Sequence, residues 1–351
     1  MFSNSDLIST EELEPGMIIA EPVVSDTGKI LLESGLHLTK QYINNLIKWQ
    51  TSYVNIELPC KFDPLQREFS NIYGKTLDLV GETFEKIRVF KEVPIKECEE
   101  LVENYIALMA NVTGVVTILH SIKVHNEYTF GHSLNVAIVA GALGKWLGFK
   151  EKDLKDIILA GLLHDIGKVC ISQKILDKPG KLTNDEMEMI KTHPTHGYCL
   201  LRDCDEISRE VKLGIMQHHE RRDGSGYPQN LKGEEIHIYA SIVAIADVYD
   251  AMSNKRVYRC QLPPFVVLET IIEQMYEKLN PEICLTFLEN VRCFMIGSLV
   301  VLSDGSQGKI VLLNDLLRMR PVVQLANGDL VDLEKNRELE IVNVLDDRSA
   351  S

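Results

Sequence analysis

The sequence predicts a multidomain, mainly α protein: an all-helical metal-binding bundle flanked by small β-rich modules at its N- and C-terminal ends. Three observations predict it. The chain has 351 residues, too many for one small core. Between residues 126 and 292 the apolar positions recur at helical spacing with no competing strand alternation. Both ends instead carry short apolar and β-branched runs bounded by Gly, Pro, Asp and Asn. Hydrophobic residues make up 45% and charged residues 25%, the balance of a soluble globular protein. The formal net charge of -14 argues against binding DNA, RNA or an anionic membrane through the whole surface. It leaves room for an anionic substrate in a locally positive pocket.

Residues 1–60 read as a small β-rich module. GMIIAEPVV and GKILLESG suggest strands and turns, and LTKQYINNLIKW a short helix capped by Thr39. Residues 61–125 read as connecting helices, with Tyr105, Leu108, Met109, Val112, Val115 and Val116 at helical spacing. The stretch 62–118 serves either as a homodimer surface or as an intrachain spacer. Within 126–292 the helical patterns are NVAIVAGALGKWLG, KDIILAGLLHDIG, REVKLGIMQHHE and YASIVAIADVYDAM, with Ser208 placed as an N-cap. Residues 293–351 return to β patterning, with Asp-Gly and Asn-Gly turns that signal hairpins. No stretch reaches ~18 apolar residues, so no membrane insertion is expected. MFSNSDLISTEELEPG has no basic region ahead of an apolar one, and the eight cysteines form no CxxC pair. Reduced thiols and a cytoplasmic location are the expectation.

The segment GLLHDIGKVC, residues 161–170, sets His164, Asp165 and Lys168 at the edge of an apolar run. Each is costly to bury unpaired. Other candidates follow at regular intervals: 32 residues from His132 to His164, 28 from Asp165 to His193, 25 from His193 to His218, and 28 from His219 to Asp247. Each interval fits a helix plus a connection, so successive helices of a bundle can deliver ligands to one point. Five imidazoles and two carboxylates exceed one tetrahedral ion's needs and suit two divalent first-row ions such as iron or manganese. Asp165, directly after a ligand and so about 100° further round a helix, is the expected bridge. Two such ions clamp a phosphoryl oxygen and activate water. Lys168, three residues on, is placed to neutralise transition-state charge.

The loop HHERRDGSGYP adds Gly224 and Gly226, which allow close backbone approach, and Tyr227, an aromatic face with a hydroxyl. Arg256 and Arg259, three apart in SNKRVYR, suit phosphate oxygens. Each piece alone has an ordinary structural explanation: a hydrogen-bonded His-Asp pair, a DGSGYP turn, an arginine pair on a solvated face. The joint pattern, with Asp247 inside an apolar helix, points to a site.

HDIGK, the KTHP around His193, HHERRDGSGYP, ADVYDAM and RVYR together resemble the HD-GYP group of the HD phosphohydrolase superfamily, over roughly residues 120–290. The resemblance implies an HD-type all-helical domain holding transition metals. It implies hydrolysis of the bacterial second messenger cyclic di-GMP to linear pGpG and on to GMP. By resemblance the metal ligands are His132, His164, Asp165, His193, His218, His219 and Asp247. The active-site lysine is Lys168, and the substrate contacts are Tyr227, Arg256 and Arg259. One branch of the family binds a third metal through a glutamate four residues before the first histidine. Here Tyr128 holds that position beside Glu127, so the resemblance implies two metals. Two alternatives stand: a non-catalytic cyclic di-GMP receptor, and a hydrolase of another cyclic dinucleotide or nucleotide.

Overall fold

The computed structural model describes residues 5–10, 13, 17–19, 22–24, 30–32, 38, 40–49, 51, 53–57, 64–121, 128–253, 264–293, 295–313 and 319–345. The chain divides into two compact units, residues 1–68 and 69–351. In the first, strands β1 (Ser5–Ser9), β2 (Ile18–Ile19) and β5 (Tyr53–Glu57) form an antiparallel sheet in the order β1-β5-β2. Strands β3 (Val23–Val24) and β4 (Ile30–Leu32) pair separately, and helix α1 spans Lys40–Lys48. Ile19, Leu38, Leu46 and Val54 anchor its own small core. The expected cap, Thr39, lies outside the described residues.

Helix α2 (Pro64–Phe90) carries the chain on to α3 (Ile95–Leu101), one π-helical turn (Val102–Ile106), α4 (Ala107–Ala110) and α5 (Val115–Ser121). The bundle proper follows: α6 (Tyr128–Trp146), α7 (Glu151–Leu163), α8 (Gln173–Leu176), α9 (Asn184–Ile190), α10 (His193–Leu201), α11 (Arg209–Gln217), α12 (Ile238–Ser253), α13 (Pro264–Met275) and α14 (Pro281–Cys293). Residues 131–144 of α6 are all buried, as are Ile157–Leu163 of α7 and Tyr239–Asp247 of α12. These helices are apolar on every face because neighbours surround them. A polar side chain there must therefore find a partner inside the protein. Ser208 caps α11 as the sequence predicts, its hydroxyl accepting from the Val211 amide.

The C-terminal strands β6 (Leu299–Leu302), β7 (Gln307–Leu312), β8 (Val322–Leu325), β9 (Leu330–Asp332) and β10 (Ile341–Leu345) form an antiparallel sheet in the order β10-β6-β7-β8-β9. Asp304-Gly305 and Asn327-Gly328 turn the two expected hairpins, each with its glycine at positive φ. Val300, Leu302, Ile310, Val323 and Ile341 enter the same apolar core as Phe69 and Val80 of α2 and Leu134 and Ile242 of the bundle. Thus α2 and the sheet share the core of the helical region. Among the described residues no helix is long and apolar enough to cross a membrane.

Candidate metal centre

His164 follows the last residue of α7, His193 comes three residues after α9 ends, and His218 follows the last residue of α11. A helix leaves its last four carbonyls without intrahelical partners. Each histidine engages one of these: Nδ1 of His164 lies 2.8 Å from the Gly161 carbonyl, Nδ1 of His193 2.8 Å from that of Ile190, and Nδ1 of His218 2.7 Å from that of Ile215. A carbonyl only accepts, so each Nδ1 carries the proton and each Nε2 presents a lone pair.

Those lone pairs converge. Nε2 of His193 lies 3.3 Å from Nε2 of His218 and 3.2 Å from Oδ1 of Asp165. Nε2 of His164 lies 3.4 Å from Oδ2 of Asp165 and, although fully buried, has no hydrogen-bond partner. Acceptors facing acceptors repel unless a cation stands among them. Two groups of ligand atoms meet the spacing of a metal site: Asp165 with His193, His218 and His219, and Asp165 with His132 and His164. Asp165 belongs to both. Asp247 is in neither, but its Oδ1 lies 3.2 Å from Nε2 of His132. The buried, unpartnered imidazole nitrogen and the imidazole–carboxylate donor set fit divalent metal ions.

The direction of Asp165 has a different origin from the one its helical position suggests. Helix α7 has already ended at Leu163, and Asp165 precedes a 3₁₀ turn, Ile166–Cys170. The turn, not a helical wheel, aims the carboxylate. In a 3₁₀ turn residues three apart eclipse, which brings Lys168 Nζ onto Asp165 Oδ2. Gly167 completes the arrangement. A Cβ there would sit 1.9 Å from the His193 carbonyl oxygen and 2.5 Å from the Gly197 amide, so only glycine lets the turn lie against α10.

His132 and Asp247 sit within α6 and α12, away from free carbonyls. His132 instead places Nδ1 2.6 Å from Oδ2 of Asp250, one turn after Asp247. Burial pushes the His132 pKa down, but hydrogen bonds to Asp247 and Asp250 outweigh it and raise the value to about 10. Burial dominates at His219, lowered to about 3, and also lowers His164 and His218. Burial opposes ionisation of Asp165 and Asp247. Lys168 and His164 beside the first, and His132 beside the second, still hold both well below the usual carboxylate range.

Tyr227 stacks on His219, ring centroids 4.7 Å apart, and Lys191 Nζ lies 5.9 Å from the Tyr227 ring centre. Its peptide bond to Pro228 is cis. The glycines shape this loop. A Cβ on Gly226 would meet the Arg221 amide nitrogen at 2.3 Å, and Gly224 has φ +81° with the Lys232 side chain against it. Glu220, buried after the two histidines, accepts from the Gln229 and Leu231 amides and pins the loop. Glu220 and Asp250 are absent from the sequence-derived set; an acidic residue at a helical repeat from Asp247 was the available signal for the second. Arg256 and Arg259 lie outside the described residues, as does Glu127.

The helical fold and the convergent imidazoles and carboxylates define a class, helical domains with a buried His/Asp cluster suited to divalent metal ions. Residues 117–283 match the HD domain family. It is 32% identical over 232 residues to a cyclic di-GMP phosphodiesterase of Pseudomonas aeruginosa, covering 66% of this chain and 56% of that one. It is 35% identical over 198 residues to a cyclic di-GMP phosphodiesterase of Thermotoga maritima, covering 55% and 52%. A 3′3′-cGAMP-specific phosphodiesterase of Vibrio cholerae is 32% identical over 231 residues, covering 64% and 41%. The chain thus spans about half the length or less of these curated relatives. Its fold is similar to that of an HD-GYP-type protein from Bdellovibrio bacteriovorus, with a TM-score of 0.54 at 17% identity, over 82% of this chain and 99% of the other.

Proposed function

We propose that this protein is a metal-dependent phosphodiesterase that hydrolyses cyclic di-GMP to linear pGpG. The observation that carries the reading is the carboxylate of Asp165 shared between two groups of ligand atoms. His193, His218 and His219 would hold one ion with Asp165, and His132, His164 and Asp247 would hold a second. Iron or manganese suits this thiolate-free donor set. Divalent ions held there supply Lewis acidity toward a phosphoryl oxygen and lower the pKa of water to the neutral range.

The remaining chemistry falls to the chain's own side chains. Lys168 is partly exposed while its partner Asp165 is buried, so its ammonium stands between the ligands and solvent. There it stabilises negative charge on the phosphoryl oxygens and protonates the leaving ribose oxygen. Burial pushes the Tyr227 hydroxyl up, so it stays protonated at neutral pH and serves as a donor. Its ring stacks on His219, which supports that role. Arg256 and Arg259 contact substrate phosphates.

Similarity to both cyclic di-GMP and 3′3′-cGAMP phosphodiesterases supports a cyclic dinucleotide as substrate and makes the hybrid dinucleotide the second reading. In α2, Phe69, Tyr73, Val80, Phe84 and Ile87 are buried within this chain, which supports the spacer role of 62–118 over a homodimer surface. A cytoplasmic site accords with a nucleotide messenger as substrate.

The test is chromatography of products from the purified full chain, loaded anaerobically with iron or manganese, against cyclic di-GMP, 3′3′-cGAMP and cyclic di-AMP. Release of pGpG in preference to the other products is expected. Tight cyclic di-GMP binding without any product would establish the receptor alternative instead.

A further inference from the structure

The three histidines at helix ends draw their orienting hydrogen bond from the backbone. His132 has no such recourse, because carbonyls inside α6 are already used by the helix. Its Nδ1 donates instead to Asp250 Oδ2 at 2.6 Å, and the arrangement continues beyond that carboxylate. Asn135, one turn after His132 on α6, donates through Nδ2 to Asp250 Oδ1 at 2.8 Å. The hydroxyl of Tyr73 donates to Asn135 Oδ1 at 2.7 Å. Tyr73, Asn135, His132 and Asp250 are all buried. Their polarity fits at each link: hydroxyl to amide oxygen, amide nitrogen to carboxylate, imidazole N–H to the same carboxylate. Tyr73 lies on α2, outside residues 117–283 that match the HD domain.

We infer that Tyr73 and Asn135 are positioning residues for the metal centre, fixing Asp250 and through it the orientation and tautomer of His132. The inference rests on the reading of His132 as a metal ligand. A carboxylate behind a ligating imidazole keeps the proton on the far nitrogen and raises the basicity of the near one. A carboxylate free to rotate does this poorly. The Asn135 amide removes that freedom by donating to the second oxygen, and Tyr73 anchors the amide by donating to its Oδ1. Helix α2 thereby sets the geometry of a ligand 59 residues further along the chain.

The experiment is Mn²⁺ titration of the metal-free full chain without substrate, read by the electron paramagnetic resonance of free Mn²⁺, with thermal melting of each apo-protein alongside. Asp250→Asn is expected to weaken Mn²⁺ binding about 10- to 100-fold, the range for orienting partners. Tyr73→Phe, which removes one oxygen and keeps the ring, is expected to weaken it about 3- to 10-fold, a smaller effect at one further remove. Val80→Ala, a buried α2 change outside the chain of hydrogen bonds, is the packing control. It is expected to lower the melting temperature and leave Mn²⁺ affinity unchanged. Wild-type affinity in Tyr73→Phe overturns the inference, whatever Asp250→Asn does, while leaving the metal reading intact. Equal weakening by Val80→Ala and Tyr73→Phe also overturns it, in favour of a general loosening of α2. A wild-type chain that takes up no Mn²⁺ overturns the metal reading, and the positioning role with it.

Discussion

The centre has two halves that solve one problem differently. His164, His193 and His218 stand at helix ends and are oriented by the carbonyls of Gly161, Ile190 and Ile215. His132 stands inside α6 and is oriented by Asp250, Asn135 and Tyr73, contributed by three helices. A backbone carbonyl exists whatever the residue, so the first half tolerates sequence change around it. The second half depends on the identity of each side chain. Helix ends thus give ligand sites that are cheap in sequence, and helix interiors give sites open to remote adjustment.

The largest effect tests the point where the halves meet. Asp165→Ala removes the shared carboxylate and is expected to cost about 10³-fold or more in turnover. Metal content by mass spectrometry should fall to at most one ion per chain. Retained activity with full metal content would separate the halves and end the bridging role.

Gly167→Ala attacks the helix-end half alone. The new methyl meets the His193 carbonyl and must displace the turn or α10. A loss of about 1–3 kcal/mol in urea unfolding is expected from overpacking. The Asp165–His193 side of the centre should weaken toward Mn²⁺ more than the His132 side.

Acid separates the halves by sign. His164, His218 and His219 are held neutral by burial, so the unfolded chain takes up protons near pH 6.5 that the fold refuses. The stability they contribute is present above that pH and lost below it. His132, raised to about 10, behaves oppositely: its contribution is complete below pH 6.5 and fades as pH rises through about 10. Near pH 6.5 three lowered imidazoles oppose one raised imidazole, so the unfolded state binds more protons than the fold. The metal-free protein should therefore lose stability between pH 7 and 6, measured by denaturant unfolding. In His132→Gln the slope should steepen, because the opposing term is gone.

Ser208→Ala gives the smallest effect. It removes the N-cap of α11, the helix whose other end carries His218. About 1 kcal/mol of stability should go, with Mn²⁺ affinity unchanged, because the Ile215 carbonyl remains.

The two halves also differ in how far the sequence disclosed them. The helix-end histidines were legible because they recur at intervals of one helix plus a connection, and His164 also ends an apolar run. Asp247 was legible for a related reason, a carboxylate amid IVAIADVYDAM. Asp250 shares that helix and was passed over, since the pattern needed only one acid per helix. Nothing in the sequence couples Tyr73 to Asn135 or Asp250; only the packing of α2 against α6, and of α6 against α12, does. The aim of Asp165 was misread for a local reason, since Gly167 permits the 3₁₀ turn and its necessity depends on α10. The hairpins were plain from Asp304-Gly305 and Asn327-Gly328. Periodicity shows which face of a strand is apolar and not what it meets, so it left open that this sheet shares its core with the helices.

Helices α7, α9 and α11 all direct their carboxyl-terminal ends toward the same few ångströms, so the negative poles of three peptide arrays add to the charges of Asp165 and Asp247. Under the proposed function, divalent ions held here would offset that negative charge and so favour approach of an anionic nucleotide.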